Sequence, residues 1–330
     1  MDNINIVAMG GGTGLSTMLR GLKKYTENLT AVVTVSDNGG SSGILRRELD
    51  MLPPGDIRNC ILALAETEPI MEKVFQYRFT EGSLSGQNFG NLFLAALNGI
   101  FGSFEKAIEK TSEVLAVKGR VLPVTTENVE LCALFDDSLI VEGESQIVQR
   151  CKNDRKSIKD VWLNPRNPKP YEKVIESIYE ADILVLGPGS LFTSIIPNLL
   201  VDDMAKAIIK SKPTVIYVSN IMTQPGETDN YNLVDHINVI EKYLGKGIID
   251  YIIVNNQKIP SKILKLYIED GAVPVKYEKN ILSNRGIRVL EAPLLKILSG
   301  TTLIRHNSDK LAEVIITILK KLNYPTSCHL

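Results

Sequence analysis

The sequence predicts an α/β fold: a mostly parallel sheet with helices on both faces and a helical insertion. Three observations carry that expectation. Uniformly apolar, β-branched runs such as Leu29-Thr30-Ala31-Val32-Val33-Thr34-Val35 recur along the chain, and a run of this kind suits a strand buried on both faces. Segments with apolar residues at helical spacing alternate with these runs almost throughout. Several of the runs end in glycine-rich loops, which right-handed crossovers gather along one edge of such a sheet.

The first element sets the pattern. Ile4 to Met9 reads as a strand, Gly10-Gly11-Gly12-Thr13-Gly14 as a tight loop, and Leu15 to Leu22 as a helix. Glycine permits positive φ and close backbone approach, and a helix N-terminus offers unpaired N–H groups to an anion. A phosphate cradle is therefore expected here. An ordinary turn is the alternative, although four glycines in five residues exceed what a turn requires. Neither nucleotide fingerprint fits: Leu15 stands where a dinucleotide motif starting at Gly10 needs glycine or alanine, and Leu15-Ser16 replaces the P-loop Lys-Ser/Thr.

After the second strand comes Ser36-Asp37-Asn38-Gly39-Gly40-Ser41-Ser42-Gly43, which should lie beside the first loop. Asp37 occupies the place of a ribose-binding acid in a doubly wound sheet, and capping its own turn is the alternative. In Leu52-Pro53-Pro54-Gly55-Asp56-Ile57-Arg58-Asn59, Asp56 can cap the helix through Cys60 to Ala65, or stand with Arg58 before a substrate. Glu66 to Gly119 is mostly helical, interrupted by Gly82 to Asn91, and reads as an insertion over the cleft. Asn88 and Asn91 precede a helix there, either capping it or reaching a ligand.

Arg120 to Thr125 is the next strand, and Leu131 to Val141 and Val161 to Leu163 read as antiparallel strands around the polar segment Glu142 to Lys159. The proline-rich Asn164 to Pro170 marks the join between halves. A helix over Tyr171 to Glu180 and a strand over Ala181 to Leu186 lead into Gly187-Pro188-Gly189-Ser190-Leu191-Phe192-Thr193-Ser194, a second expected anion site. The strand Pro213 to Val218 ends in Ser219 to Asp229, where Glu227 and Asp229 are acid or metal candidates or simply turn residues. Asp235 to Gly245 and Ser261 to Asp270 read as helices, Tyr251 to Asn256 and Arg288 to Leu290 as strands. Ser308 to Leu322 closes the chain as an amphipathic helix capped by Ser308 or Asn307.

Composition narrows the function. The 330 residues are 44% hydrophobic, and 37 Lys+Arg against 38 Asp+Glu leave a net charge of -1, so no field favours nucleic acid. No apolar run is long enough for a membrane span, and Met1-Asp2-Asn3 enters the first strand without a secretory n-region, so a cytoplasmic location is expected. Cys60, Cys132, Cys151 and Cys328 form no CxxC pair, and His236, His306 and His329 lack metal-ligand spacing.

Six motifs then occur in order: Gly10 to Gly14, Ser36 to Gly43, Pro53-Pro54-Gly55-Asp56-Ile57-Arg58, Gly86-Gln87-Asn88-Phe89-Gly90-Asn91, Gly187 to Leu191, and Met222-Thr223-Gln224-Pro225-Gly226-Glu227-Thr228. With them the chain resembles the gluconeogenesis-factor (YvcK-type) branch of the 2-phospho-L-lactate transferase-like (CofD-like) family, over nearly its whole length to Ile304-Arg305-His306. The resemblance implies a single Rossmann-like domain over residues 1–330, with the helical insertion at about 60–119 and an antiparallel excursion at about 131–165. It implies a bacterial cytoplasmic protein needed for normal cell shape and wall synthesis on gluconeogenic carbon sources, binding UDP-sugars such as UDP-N-acetylglucosamine. The transferase branch instead moves a phospholactyl-type group from a nucleotide diphosphate carrier to a deazaflavin, with magnesium.

On this reading the backbone of Gly11, Gly12, Thr13 and Gly14 and of Gly187, Gly189, Ser190 and Leu191 holds a pyrophosphate. Asp37 and Asn38 meet nucleoside or sugar hydroxyls, Asn88, Asn91 and Asn220 complete the pocket, and Arg305 is a candidate phosphate partner. For a transferase, Asp37 or Asp56 would position Mg2+ or take a proton, though no unambiguous nucleophile or base stands out. Ser308 is a candidate phosphate acceptor at a helix start, with N-capping as its alternative role. Candidate partners are a nucleotide-sugar or other nucleotide diphosphate, a second copy in a homodimer, and cell-wall synthesis proteins.

Overall fold

The structure is a computed structural model that describes residues 4–154 and 156–323, so Cys328 and His329 lie outside the described residues. The first half runs β1 (Ile6–Gly10), α1 (Gly12–Leu22), β2 (Leu29–Val33), α2 (Gly40–Leu49) and α3 (Gly55–Leu64). It continues through α4 (Pro69–Gln76), α5 (Phe89–Phe101) and α6 (Phe104–Val114) to β3 (Arg120–Pro123). An excursion follows: β4 (Glu130–Phe135), β5 (Ile140–Glu142), α7 (Glu144–Asp154) and β6 (Ile158–Asn164). The second half holds α8 (Glu172–Tyr179), β7 (Ile183–Leu186), a π turn over Leu191–Ile195 leading into α9 (Ile196–Leu199), α10 (Met204–Ser211) and β8 (Thr214–Val218). Next come α11 (Leu233–Leu244), β9 (Tyr251–Asn255), α12 (Ser261–Glu269), α13 (Lys279–Asn284), β10 (Arg288–Ala292), β11 (Leu295–Ile297), β12 (Ile304–His306) and α14 (Ser308–Asn323).

Seven parallel strands form the main sheet in the order β10-β9-β8-β7-β1-β2-β3. Every residue of β1, β2 and β7 is buried, because helices cover both faces and such strands need apolar side chains on both sides. Each fully buried aliphatic side chain contributes about 1.5–3 kcal/mol, so these strands anchor the core. One continuous core cluster runs from Ile6 to Leu319 through both halves.

The order of strands decides where a ligand could sit. From β1 the chain winds outward through β2 to β3, then returns to place β7 on the other side of β1 and winds away through β8, β9 and β10. The direction reverses between β1 and β7. In open α/β sheets that reversal opens a crevice at the carboxyl ends of the strands.

Two local readings are corrected, and one left open is decided. The polar stretch after Glu142 contains a helix, α7, which buries only Ile147 and Cys151, and the run from Leu131 to Val141 is cut by a turn at Ser138 with φ of 67°. The helix through Cys60 that Asp56 was expected to cap starts at Gly55 with Pro54 in the capping position, so Asp56 lies in its first turn and does not cap it. At α14 the cap is Asn307, whose Oδ1 accepts N–H bonds from Asp309 (3.1 Å) and Lys310 (3.2 Å). The antiparallel pair β11–β12 had no expectation in the sequence.

Candidate functional site

The crevice is built by two glycine loops in contact. The β1–β7 pairing carries on until Gly187 N–H donates to the Met9 carbonyl (2.9 Å), after which the chains part. A Cβ on Gly14 would fall 2.2 Å from the Pro188 carbonyl oxygen, so only glycine lets α1 begin this close to the second loop. Gly12, with φ of +64°, makes the turn into the helix. Gly189 backs onto the Gly11 carbonyl, Leu191 is fully buried, and Thr13 is exposed at the mouth.

The two loops end differently. Gly11 at the α1 N-cap position offers no side chain, and the first turn is met instead by Asp56, whose carboxylate accepts the Gly12 N–H. Asp56 Oδ2 lies so near that a Cβ on Gly11 would come within 2.9 Å of it. In the second loop Ser190 Oγ accepts the Thr193 N–H (3.1 Å) and donates to the buried Glu227 carboxyl.

The loop after β2 completes the near wall. Asp37 Oδ1 accepts the Gly39 N–H (2.8 Å), the turn-capping bond, while its other oxygen faces Gly55. Asn38 is tied to α7: its Oδ1 accepts the Ser145 N–H (2.9 Å) and its Nδ2 donates to Gln146 Oε1 (2.9 Å). Ser36 Oγ donates to Glu144 Oε2 at 3.4 Å.

The insertion supports this wall from behind. Asn88 caps α5 by accepting the Asn91 N–H (3.1 Å), and its Nδ2 donates to the Gln76 and Tyr77 carbonyls. Asn91 accepts from Arg58 Nη1 (2.8 Å) and donates to Ser41 Oγ (3.1 Å), which itself donates to Gln87 (2.7 Å). Both asparagines thus bond within the protein: Asn91 holds the start of α2 and the Arg58 guanidinium, and Asn88 ties the start of α5 to the end of α4. On the far side Asn220 donates to Gln224 (3.1 Å), and Asp229 accepts the Gly226 N–H in a turn (2.8 Å).

Four carboxyls, Asp37, Asp56, Glu144 and Glu227, converge on this space, and burial dominates the chemistry of the last three. Asp56 is pushed up to about 7, first by burial and then by Asp37, against the pull of the Gly12 N–H and Arg58. Glu144 is raised well above the usual range by burial and by Asp37, Asp56 and Glu227; burial also raises Glu227. Arg58 is lowered to about 10 by burial and then by Arg78. Sequence reasoning missed Glu144, which sits in a polar stretch with no motif around it.

Among the described residues no group of three or more His, Cys, Asp or Glu could hold a metal by itself. Asp37 on the loop after β2 and Asp56 in the first turn of α3 are hard oxygen donors and fit Mg2+ in its usual mode, one or two carboxylates with phosphate oxygens and waters.

Arg305 lies on β12, donating from Nη1 to the Ile304 carbonyl (2.8 Å), with its buried Nε unpartnered. The neighbouring His306 meets the Ser219 carbonyl (3.2 Å), which sets β12 beside the loop after β8. Ser308 packs its backbone against Gly21 in the last turn of α1, the end of that helix away from the glycine cradle. Cys60, Cys132 and Cys151 are buried free thiols.

Comparison with known proteins gives this geometry a family. The family model for 2-phospho-L-lactate transferase CofD matches residues 6–295. A relative from Thermoanaerobacterium thermosulfurigenes is 53% identical over 97% of this chain and 98% of its own, and the gluconeogenesis factor of Bacillus subtilis is 43% identical over 96% and 98%. A crystal structure of a UPF0052-family protein from Bacillus halodurans superposes with a TM-score of 0.89 at 43% identity, covering 95% of this chain and 99% of that one. With its β1/β7 crevice and two abutting glycine loops, the chain belongs to the gluconeogenesis-factor (UPF0052, YvcK-like) family, which is related to CofD.

Proposed function

We propose that this chain is a regulatory protein that binds a nucleotide-sugar of the UDP-N-acetylglucosamine type in the crevice between β1 and β7. The observation that carries this reading is the contact of the two glycine loops at the point where the strand order reverses. A diphosphate there would lie against the first turn of α1 and the backbone from Gly189 to Leu191, with Asp37 and Asn38 toward the nucleoside. Asn220 and Arg305 border the other end, Asn91 serves by holding Ser41 and Arg58 in place, and Asn88 by capping α5. Membership in a family whose relatives are named gluconeogenesis factors supports a regulatory role. On this reading the chain acts in the cytoplasm during gluconeogenic growth, on cell shape and wall synthesis, through protein partners and as a homodimer. Phosphate on Ser308 would act at a distance from the crevice.

Calorimetric titration with UDP-N-acetylglucosamine is the test. Saturable heat that Gly12→Val weakens at least tenfold supports the reading, and no heat at millimolar ligand rejects it.

A second reading, group transfer of the 2-phospho-L-lactate type, draws on one observation: a carboxyl at about 7 beside the α1 N-terminus can exchange a proton near neutrality. When bound, Mg2+ would neutralise charge on the diphosphate, with Asp37 and Asp56 as its protein ligands. Incubation with the nucleotide diphosphate carrier, a deazaflavin and Mg2+ tests it; absence of product dismisses it.

A further inference from the structure

From the junction of α3 with the insertion we infer a second anion site, formed by Arg58, Arg78 and the start of α5, that takes a small phosphate monoester. This site is separate from the glycine cradle and does not depend on the nucleotide-sugar reading. Asp56 and Arg58 stand two residues apart in the first turn of α3, a spacing that sends side chains to different sides of a helix. Asp56 turns to the Gly12 N–H, whereas Arg58 turns to the start of α5, where a Cβ on Gly90 would fall 2.6 Å from the Arg58 Cδ. The connection from α4 to α5 doubles back on itself: Phe79 N–H donates to the Gln87 carbonyl (2.9 Å) and Phe89 N–H to the Tyr77 carbonyl (2.9 Å). Arg78 is thereby set opposite Asn88, the cap of α5. Both guanidinium-bearing residues stand at one helix N-terminus.

That corner is short of negative charge. Arg58 donates from Nη1 to Asn91 (2.8 Å) and from Nη2 to Asn59 (2.9 Å), both neutral amides, and its buried Nε has no partner. Arg78, which is exposed, donates from Nη1 to the Gly86 carbonyl (2.6 Å). Among the described residues neither arginine has a carboxylate within 4.0 Å, and the first turn of α5 holds no acidic residue. Arg78 is the main cause after burial that lowers Arg58, against weaker pulls from Asp56 and Asp37. Two like charges at the positive end of a helix dipole, held by neutral partners, repel each other until an anion joins them. Their charge with about half a unit from the helix matches the charge of about −2 on a phosphate monoester near neutrality. Guanidinium forks suit its oxygens. The glycine loops offer backbone N–H groups to a bridging diphosphate; this corner offers full side-chain charges to a terminal phosphate.

A 15N–1H titration of the full chain with glycerol phosphate tests this, reading the Arg58 Nε–H and the Gly90 amide beside those of Gly12 and Gly189. Arg58 and Gly90 should shift along one saturation curve that Gly12 and Gly189 do not share. Arg78→Gln changes an exposed side chain, so its melting curve should match the unaltered protein's, and it should weaken the binding seen at Arg58 at least fivefold. Arg78→Lys, which keeps the charge and loses the fork, should weaken it less. No saturable shift at millimolar glycerol phosphate overturns the site, as does a shift that Arg78→Gln leaves unchanged. A single curve shared by all four reporters also overturns it, because the anion then belongs to the glycine cradle.

Discussion

The two glycine loops share a plan and differ in what meets them. After β1, a bare glycine N-terminus is answered by a carboxylate from another helix, Asp56 on Gly12; after β7, the loop supplies its own cap, Ser190, and ties it to Glu227. The first loop is therefore an anion receiver whose resting occupant is the protein's own acid. The second is a preformed turn whose geometry depends less on any ligand. An incoming phosphate would compete with Asp56 at the first loop and only adjust the second, so the first should govern both pH dependence and affinity.

The largest effect should come from destroying the contact between the loops. Gly14→Val forces a side chain onto the Pro188 carbonyl, and should cost on the order of 3 kcal/mol in urea unfolding and abolish nucleotide binding. Wild-type stability would show that the loops do not touch in solution.

Changing the acid separates the loops more finely. A carboxyl at about 7 in the fold, against the 3.8 of an ordinary aspartate, keeps its proton longer in the native than in the unfolded chain. Its contribution to stability is thus full below about pH 4 and lost as pH rises through about 7. Asp56→Asn keeps an acceptor for the Gly12 N–H without the charge, and should stabilise the protein at pH 8 by roughly 1–3 kcal/mol with little effect at pH 4. It should also tighten diphosphate binding at pH 8 in the absence of metal. A loss of affinity that appears only with Mg2+ would mark Asp56 as a cation ligand.

The smallest effect belongs to the second loop. Ser190→Ala removes a cap and the partner of Glu227, and should cost about 1 kcal/mol while changing affinity less than threefold. A change as large as that of Gly12→Val would erase the difference between the loops.

How much of this was legible depended on how each element is stabilised. The parallel strands were readable because burial on both faces forces uniform apolar runs, and both glycine loops were readable because close backbone approach admits nothing larger. α7 was not, since two buried residues, Ile147 and Cys151, leave no periodic signal, and with it went Glu144. Asp56 was misplaced because Pro53-Pro54 looked like a stop, yet the second proline takes the capping position itself. For Asn88 the sequence left capping and ligand contact open, and the observed bonds are those of a cap.

The central claim, one diphosphate held by both loops, is tested most directly by following backbone amides in a 15N–1H titration with UDP-N-acetylglucosamine. The expected result is that Gly11, Gly12, Gly14, Gly189 and Leu191 shift together along one saturation curve. Shifts confined to one loop, or two loops saturating at different concentrations, would contradict it.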